Sequence, residues 1–540
     1  MSGSGGGTEV PVLIAGGGPV GLTTALLLAH HGVRSRILER RTTPSCGQSR
    51  AITVQRHNLA LFDRLGIVEE MLRDGASWSL GRTYHGDREI LRLRWPVRGE
   101  ELYPAFVNFP QFRTEELLHA AAEATGMVEF RHGRTVLGVR QDATSVSVST
   151  DGEAHTADYL VGADGIGSTV RTELGIPYEG WQTEGRFLVA DFEVDLPFAV
   201  ERRLWFRPPF YPSGIVLLHC MGAGKWRIDW QVDPGEIVDL DPDRMAERVR
   251  AVIGDRPFTV LRANTYTFQQ RRAGRFRDGR VLLAGDAAHV VSPFGARGMN
   301  SGLEDAENLA WKLAFVLTGR AGPALLDSYA AEREPAADHH LEVTGNTMRF
   351  MTPATEEGIA HRDAVLRAVS SDDDPAAASA IDSGKLYEPY PYTASPLTCV
   401  FDDEPDDLGR PAPDGRCLLP GETVPTTLRK AVGGRLGLLA VPARGADGHA
   451  LARRLAATPA PVHRYLLAGP EFGDDIPGVT VLRDTGTTLA DAYAGDTDRL
   501  FVLRPDCYLA ARAPVPDQPA LDAAVSRALA PLLTQLTTPA

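Results

Sequence analysis

The chain has 540 residues, a formal net charge of -14, 43% hydrophobic and 23% charged residues. That length exceeds what one hydrophobic core organises and implies two to four domains of an ordinary soluble, globular class. The acidic balance argues against nucleic acid or an anionic membrane as main partner, because both need a basic face; five scattered cysteines (Cys46, Cys220, Cys399, Cys417, Cys507) form no CxxC or zinc-type spacing and suit a reducing, cytoplasmic compartment.

In chain order, Met1–Gly7 is a Gly/Ser tail without the basic n-region of a secretory signal. Val10 to Ala29 carries no charge and is long enough on paper to span a bilayer. Its interior, Ala15-Gly16-Gly17-Gly18-Pro19, would break a membrane helix, so a strand, a tight turn and a helix fit better. Val12-Leu13-Ile14-Ala15 reads as a buried parallel strand. A helix follows from about Val20 to His31, closed by Gly32 in the C′ position. Ser35-Arg36-Ile37-Leu38-Glu39 is the next strand, which completes a βαβ unit.

From Arg171 to about Gly274 the texture changes. Phe187–Val194 and Lys225–Val232 alternate with period two; in the second, Trp226, Ile228 and Trp230 point one way and Lys225, Arg227, Asp229 and Gln231 the other. A largely antiparallel sheet with two dissimilar faces is expected. Val281-Leu282-Leu283-Ala284 is another buried strand. A long helix starts near Ser301, where Ser301 and Glu304 make a capping-box pattern. Its residues Leu303, Ala306, Ala310, Leu313 and Leu317 share one face. The Pro- and Asp-rich stretch Ser370 to Pro413 reads as a linker. Apolar strands return at Leu436–Val441, Val479–Leu482 and Arg499–Leu503, so a third, small α/β domain follows.

Three motifs carry chemistry. Gly16-Gly17-Gly18-Pro19-Val20-Gly21 is a GxGxxG between strand and helix. Gly16 permits the turn, Gly18 lets backbone approach a pyrophosphate, and Gly21 lets helix and strand pack closely. Glu39, eighteen residues after Gly21, ends the next strand, placed to accept hydrogen bonds from a ribose diol. The second motif is Asp158–Arg171, containing Asp164-Gly165; alone it could equally be a strand ending in an Asp-Gly turn, with Ser168 capping a helix. The third is Gly279–His289, followed by Pro293 and by Gly298-Met299-Asn300. It places the carboxylate of Asp286 at a buried strand's end and gathers amides at a helix N-terminus, which favours negative charge.

In this order and at these separations the motifs, over about residues 8 to 350, resemble the group A flavoprotein aromatic hydroxylases, the family of para-hydroxybenzoate hydroxylase and phenol hydroxylase. The chain is similar to their three-domain members that act on polyketides, antibiotics or hydroxyphenylpropionate. The segment from about Leu408 resembles their C-terminal thioredoxin-like domain, with Pro413-Asp414 and Arg504-Pro505-Asp506 at recurrent positions; lacking CxxC, it is not expected to do redox work. The resemblance implies an α/β architecture: a Rossmann-like FAD-binding domain (residues 8–175 and 276–395), an inserted, mainly antiparallel substrate sheet (176–275) and the thioredoxin-like α/β domain (405–540).

The resemblance further implies bound FAD, with NAD(P)H and O2 as co-substrates. On that resemblance, oxygen would add at flavin C4a, and the resulting hydroperoxide would hydroxylate a phenolic or other aromatic substrate of natural-product type. Gly16, Gly18, Pro19, Val20, Gly21, Glu39 and Arg40 would hold the ADP half. Arg50 and Gln111 would line the cofactor, and Val136 would offer backbone to the adenine. Asp164-Gly165 belongs to the motif tied to FAD and nicotinamide nucleotide. Asp286 would contact ribityl or pyrophosphate, Pro293 would lie beside the isoalloxazine, and Gly298, Met299 and Asn300 would supply amides near N1 and O2. Arg297 departs from the Gly-Gln-Gly of many relatives. Arg40 and Arg41 are candidates for a 2′-phosphate.

A phenol reacts better once ionised, so a proton relay is sought on the sheet's inner face and flanking loops. Tyr211, His219, Arg227, Gln231, Thr267 and Gln269 are candidates, each of which could instead be a partner in a solvent-facing ladder. Trp205, Phe206, Phe210 and Tyr211 suggest an aromatic wall, and His289 reads as structural. No metal and no nucleophile triad are expected; a homodimer is common among relatives. Baeyer–Villiger oxygen insertion or antibiotic inactivation on the same scaffold is the alternative chemistry, and a non-catalytic flavin-binding module a further one.

Overall fold

A computed structural model describes residues 10–44, 51–94, 103–196, 200–233, 235–370, 381, 388–401, 408–446, 448–473, 476–486 and 488–533. The first sheet is eight-stranded, and its core runs Val281–Leu283, Ala154–Gly162, Val10–Ala15, Ser35–Glu39, Val128–His132, all neighbours parallel. Val12, Leu13, Ile14 and Ala15 are fully buried, as a strand covered on both faces requires. Helix Pro19–His30 crosses between the first two strands. It ends where Gly32 turns left-handed (φ 77°), a conformation a side chain would resist.

Because these four motif-bearing strands are parallel, their C-terminal ends lie on one edge. The turns after Ala15, Glu39, Gly162 and Leu283 therefore meet there, at the crevice where open α/β sheets bind ligands.

The second sheet is also eight-stranded: His289–Val290, Thr259–Ala273, Tyr178–Glu193, Lys225–Val232, Ile215–Gly222, Arg202–Phe206, Leu80–His85 and Arg88–Arg94. It is antiparallel except where Arg202–Phe206 runs parallel to Leu80–His85. The sheet is thus wider than residues 176–275: strands 80–94 join one edge and His289–Val290 the other. The predicted two faces are present. Leu188, Phe192, Val216, Leu218, Trp226, Ile228 and Trp230 pack under helix Pro242–Ile253 through Met245, Val249 and Ile253. Phe187, Leu204, Phe206, Ile215 and Leu217 look the other way, onto Phe294, Met348 and Met351. Phe294 belongs to the flavin-type motif, so this second face is the inner one.

The third sheet centres on Gly437–Val441, parallel to His463–Ala468 and antiparallel to Arg499–Leu503, with Thr480–Asp484 parallel beyond. Helices Gly448–Ala457 and Gln518–Leu529 cover one side, Leu428–Val432 and Thr488–Tyr493 the other. Cys417 and Cys507 are buried free thiols, held protonated by burial. The sheet is fastened to the rest by two helices: Trp311 Nε1 of Gly298–Leu317 donates to Asp506 at 3.0 Å, and Arg504 grips Glu332 of Asp327–Met351 at 2.6 and 2.9 Å. Among the described residues no helix is long and apolar enough to cross a membrane.

Candidate functional site

At the shared sheet edge, the glycines of the first motif have distinct reasons. Gly16 is left-handed (φ 101°), and a Cβ there would stand 2.4 Å from the Ala163 carbonyl oxygen; one on Gly21 would stand 2.0 Å from that of Gly16. A Cβ on Gly18 would meet no protein atom within 4 Å. Its lack of side chain therefore serves something outside the protein packing, and a pyrophosphate against the N-terminus of helix Pro19–His30 fits that cradle. Pro19, at the helix start, has no N–H to leave orphaned. Val20 wedges between Gly285 and Gly302, where added Cβ atoms would fall 2.8 and 2.7 Å from its methyl. That contact locks the first motif to the third.

Glu39 is buried at its strand's end. It accepts hydrogen bonds from Gly17 N at 2.6 Å and from Arg41 N and Nε at 2.8 and 3.0 Å. Burial alone would raise its pKa, but these donors outweigh it and hold the carboxylate below its ordinary value. Arg41 continues to Glu115 at 2.9 Å and to Gly17 O at 2.9 Å. Arg40 is exposed, so Arg41 takes the inward position of the pair. Gln111 opens helix Gln111–Ala124, accepts from Ala51 N at 3.1 Å and donates to Glu115 at 2.9 Å. Val136 is buried at the start of strand Val136–Gln141. Arg50 lies outside the described residues.

Asp164 follows its strand directly. Oδ2 accepts from Val170 N at 3.1 Å, while Oδ1 is buried with no hydrogen-bond partner in the protein. Burial pushes the acid up against the opposing pull of Ser168 and backbone amides. An orphaned carboxylate oxygen beside Gly16 and the left-handed Gly165 (φ 82°) suits a hydroxyl-bearing ligand. Ser168 also caps helix Thr169–Glu173, as the reading of this motif as a strand, an Asp-Gly turn and a capped helix expects. Arg171, whose part the motif alone does not disclose, braces the next turn. It donates to Ala287 O and Ile166 O at 2.8 Å each and lies 3.7 Å over the Tyr178 ring. The Tyr178 hydroxyl donates to Asp286 O at 2.8 Å.

Asp286 sits in the 3-10 turn Gly285–Ala287, partly exposed at the edge. His289 is structural in its contacts: its Nε2 lies 2.7 Å from Asp305 Oδ2, which also accepts from Gly285 N at 2.9 Å. Pro293 is exposed, with Phe294 tucked behind it. The long helix begins at Gly298, three residues before the expected start. Ser301 and Glu304 do not cap it; both engage Arg333, at 3.0 and 3.1 Å. The amides of Gly298, Met299 and Asn300 thus form its first turn, which has no intrahelical acceptor. The Asn300 side chain is spent on structure: it donates to Thr53 O at 2.9 Å and Ala296 O at 2.6 Å, and accepts from Gln55 N at 3.0 Å and Asn58 Nδ2 at 2.9 Å.

The relay candidates divide by face. Register pairs Asp191 with Arg227 and Arg262, and Arg227 with His219, in one row across the inner face. Arg227 is buried and grips Asp191 at 2.6 and 3.0 Å, and that carboxylate outweighs burial and raises the guanidinium's pKa. His219 Nε2 lies 3.2 Å from Asp229 Oδ2, and its Nδ1 is buried without a protein partner. Gln231 accepts from Ile215 N at 3.2 Å on the same face. Gln269 accepts from Arg271 Nε at 3.1 Å.

Tyr211 corrects the expectation. Its ring packs 4.9 Å from Trp230 on the outer face and its hydroxyl donates to Asp233 at 2.8 Å, away from the motif edge. The turn after Phe206 carries it and Phe210 there, and Trp205, next to Phe206 in the strand, points the same way by alternation. Of that aromatic wall only Phe206 faces inward. The inner aromatics are instead Phe187, Phe268 and Phe294, with centroids 4.7 to 6.1 Å apart.

Residues 9–344, more than half of the chain, match the FAD binding domain family. The chain is 34% identical over 367 residues to a 3-(3-hydroxy-phenyl)propionate/3-hydroxycinnamic acid hydroxylase of Mycolicibacterium smegmatis, covering 67% of this chain and 65% of that protein, just under two thirds of its length. It is 36% identical over 364 residues to rifampicin monooxygenase of Streptomyces venezuelae, covering 64% of this chain and 72% of the relative. In structure, the flavin-dependent monooxygenase PieE, solved with FAD and substrate, matches 97% of this chain and 100% of its own at a TM-score of 0.81 and 24% identity, a likeness of fold. The chain belongs to the FAD binding domain family and has the fold of the group A flavin monooxygenases.

Proposed function

We propose that the chain is an NAD(P)H- and FAD-dependent monooxygenase that hydroxylates a phenolic or comparably electron-rich aromatic compound. One observation carries the reading. The three motifs converge on one sheet edge, and Phe294 of the third lies against the inner face of a second sheet that bears a polar row. FAD supplies the acceptance of reducing equivalents from NAD(P)H and the activation of O2 when bound. The residues supply binding, orientation and proton handling.

Gly16–Gly21 with Glu39 take the nucleotide half; Gln111, Asp164 and Asp286 line the middle. The amides of Gly298, Met299 and Asn300 present positive partial charge to an anionic ring edge, with Pro293 beside it. Phe187, Phe268 and Phe294 form a dry aromatic side against which a substrate ring packs. His219 is the proton acceptor. With Nε2–H donated to Asp229, the lone pair is on Nδ1, the buried nitrogen that no protein group occupies. Arg227 acts through Asp191, holding the row rigid from beneath. Arg40 and Arg41 are the place to look for recognition of the 2′-phosphate of NADPH.

NAD(P)H oxidation by the purified yellow protein, with and without phenols and polycyclic aromatic polyketides, tests the proposal. The relatives named for a hydroxyphenyl acid and for rifampicin bracket the sizes to try. Stimulation by an aromatic, with a product heavier by one oxygen on the ring, is expected. Oxygen inserted beside a ketone, or oxidation that no aromatic changes, would overturn it.

A further inference from the structure

Arg297 is the N-cap residue of helix Gly298–Leu317, immediately before the three amides assigned to the flavin's N1–C2=O2 edge. It is 4% exposed. A guanidinium donates only, so its Nη1 contact of 3.2 Å with His340 Nδ1 requires that nitrogen to hold a lone pair. His340 is itself buried in helix Asp327–Met351, and burial, together with Arg297, Arg333, His289 and His339 around it, keeps the ring well below its ordinary pKa. The pair therefore carries one full positive charge, on Arg297. A helix N-terminus already carries about half a positive charge and ordinarily favours anions, not cations. A full and a partial positive charge therefore share one buried point, after a loop whose Gly295 and Ala296 are both left-handed (φ 83° and 54°). About two turns on, Arg333 faces Asp305 at 2.7 Å and Glu304 at 3.1 Å.

We infer that Arg297, fixed by His340, is a tuning cation for the bound flavin. It stabilises the anionic reduced state over the neutral oxidised one and so raises the reduction potential. The inference rests on FAD binding and not on the substrate proposed above. Replacing Arg297 by a neutral residue removes one positive charge whatever else the guanidinium touches, so the sign of the effect is set.

The test is the midpoint potential of the holoenzyme by dye equilibration, together with the affinity of the oxidised flavin for sulfite, whose adduct also places negative charge on the ring. Arg297→Gln should disfavour reduction about tenfold, a shift of about 30 mV downward for a two-electron couple. It should also weaken sulfite binding by a similar factor, and Arg297→Lys should recover most of both. His340→Asp, which sets a carboxylate against the guanidinium, should move both in the same direction as Arg297→Gln and serves where that variant does not retain FAD. A potential and a sulfite affinity equal to wild type in either neutralised protein would overturn the inference. Loss of aromatic-stimulated turnover with both quantities unmoved would also count against it, because that would be a structural effect only.

Discussion

Replacing Glu332 by Gln removes one negative charge from a buried group that joins three parts of the chain. Its carboxylate accepts from Arg504 Nη1 and Nη2 at 2.6 and 2.9 Å, Lys312 Nζ at 2.7 Å and Asn308 Nδ2 at 2.6 Å, and from the Ser395 hydroxyl. Arg504 also pairs with Asp506 at 2.5 Å. Lys312, Arg504, Glu332 and Asp506 thus sum to zero charge; without Glu332 they sum to one uncompensated, fully buried positive charge. Breaking such a pair costs about 3–5 kcal/mol. At about 2 °C or more per kcal/mol for a large domain, melting should fall by at least about 6 °C. Because Lys312 belongs to the helix whose first turn is proposed to face the flavin, FAD should also dissociate faster. Burial, outweighing the pull of Glu332, lowers Lys312 to about 8. A base with a depressed folded pKa binds fewer protons folded than unfolded, so its penalty is relieved as pH rises. In Glu332→Gln, where the stabilising carboxylate is gone, Lys312 loses its proton lower still. The gap to wild type should therefore be wider at pH 7 than at pH 9. Calorimetric melts at the two pH values, with flavin fluorescence to follow release, measure both effects. A melting point within about 2 °C of wild type at pH 7, or a gap that grows with pH, would refute the charge argument.

Further outcomes follow from the same geometry. Asn300→Ala removes three hydrogen bonds that staple the start of helix Gly298–Leu317 to residues 53–58 and a fourth to Ala296 O, each worth about 1 kcal/mol. FAD affinity by fluorescence titration should weaken at least about tenfold, and an unchanged Kd would remove the stapling role. His219→Gln and Asp229→Asn should each lower kcat/KM for a phenol by about a hundredfold while leaving NAD(P)H-driven flavin reduction intact. Wild-type kcat/KM in both variants would dismiss the relay. Glu307 is held at about 2 because Arg64 and His57 outweigh the upward push of burial. A depressed carboxylate contributes stability that is complete above about pH 4.5 and lost as pH falls towards 2. Glu307→Gln should flatten the melting profile over that window, and parallel slopes would contradict it.

What the chain discloses by itself divides along physical lines. Signals that repeat locally were legible. The buried run Val12–Ala15, the period-two alternation of Lys225–Val232 and the glycines of the first motif each report a constraint met within a few residues, and strand and turn follow from them. The parallel order of the first sheet then brings Glu39, Asp164 and Asp286 to the same edge as Gly16. Alternation also separated the two faces of the second sheet, which placed His219 and Arg227 inward. It fails where a loop intervenes: nothing in the period says which way the turn after Phe206 sends Phe210 and Tyr211, and they go outward. Strands 80–94 escaped notice because an edge strand alternating with arginines looks like an exposed coil until its partner at 202–206 is known. The buried charges are the extreme case. Ser301 and Glu304 carry the local signature of a helix cap, yet both answer to Arg333, about thirty positions on, while Trp311 answers to Asp506 at a separation of 195. A local rule reads such residues by the partner nearest in sequence. In the folded chain a buried charge takes the partner nearest in space, because leaving it unpaired costs more than any cap returns. The residues that brace the proposed flavin edge from behind, Arg171, Tyr178, Asp305 and Arg333, are for that reason visible only in the structure.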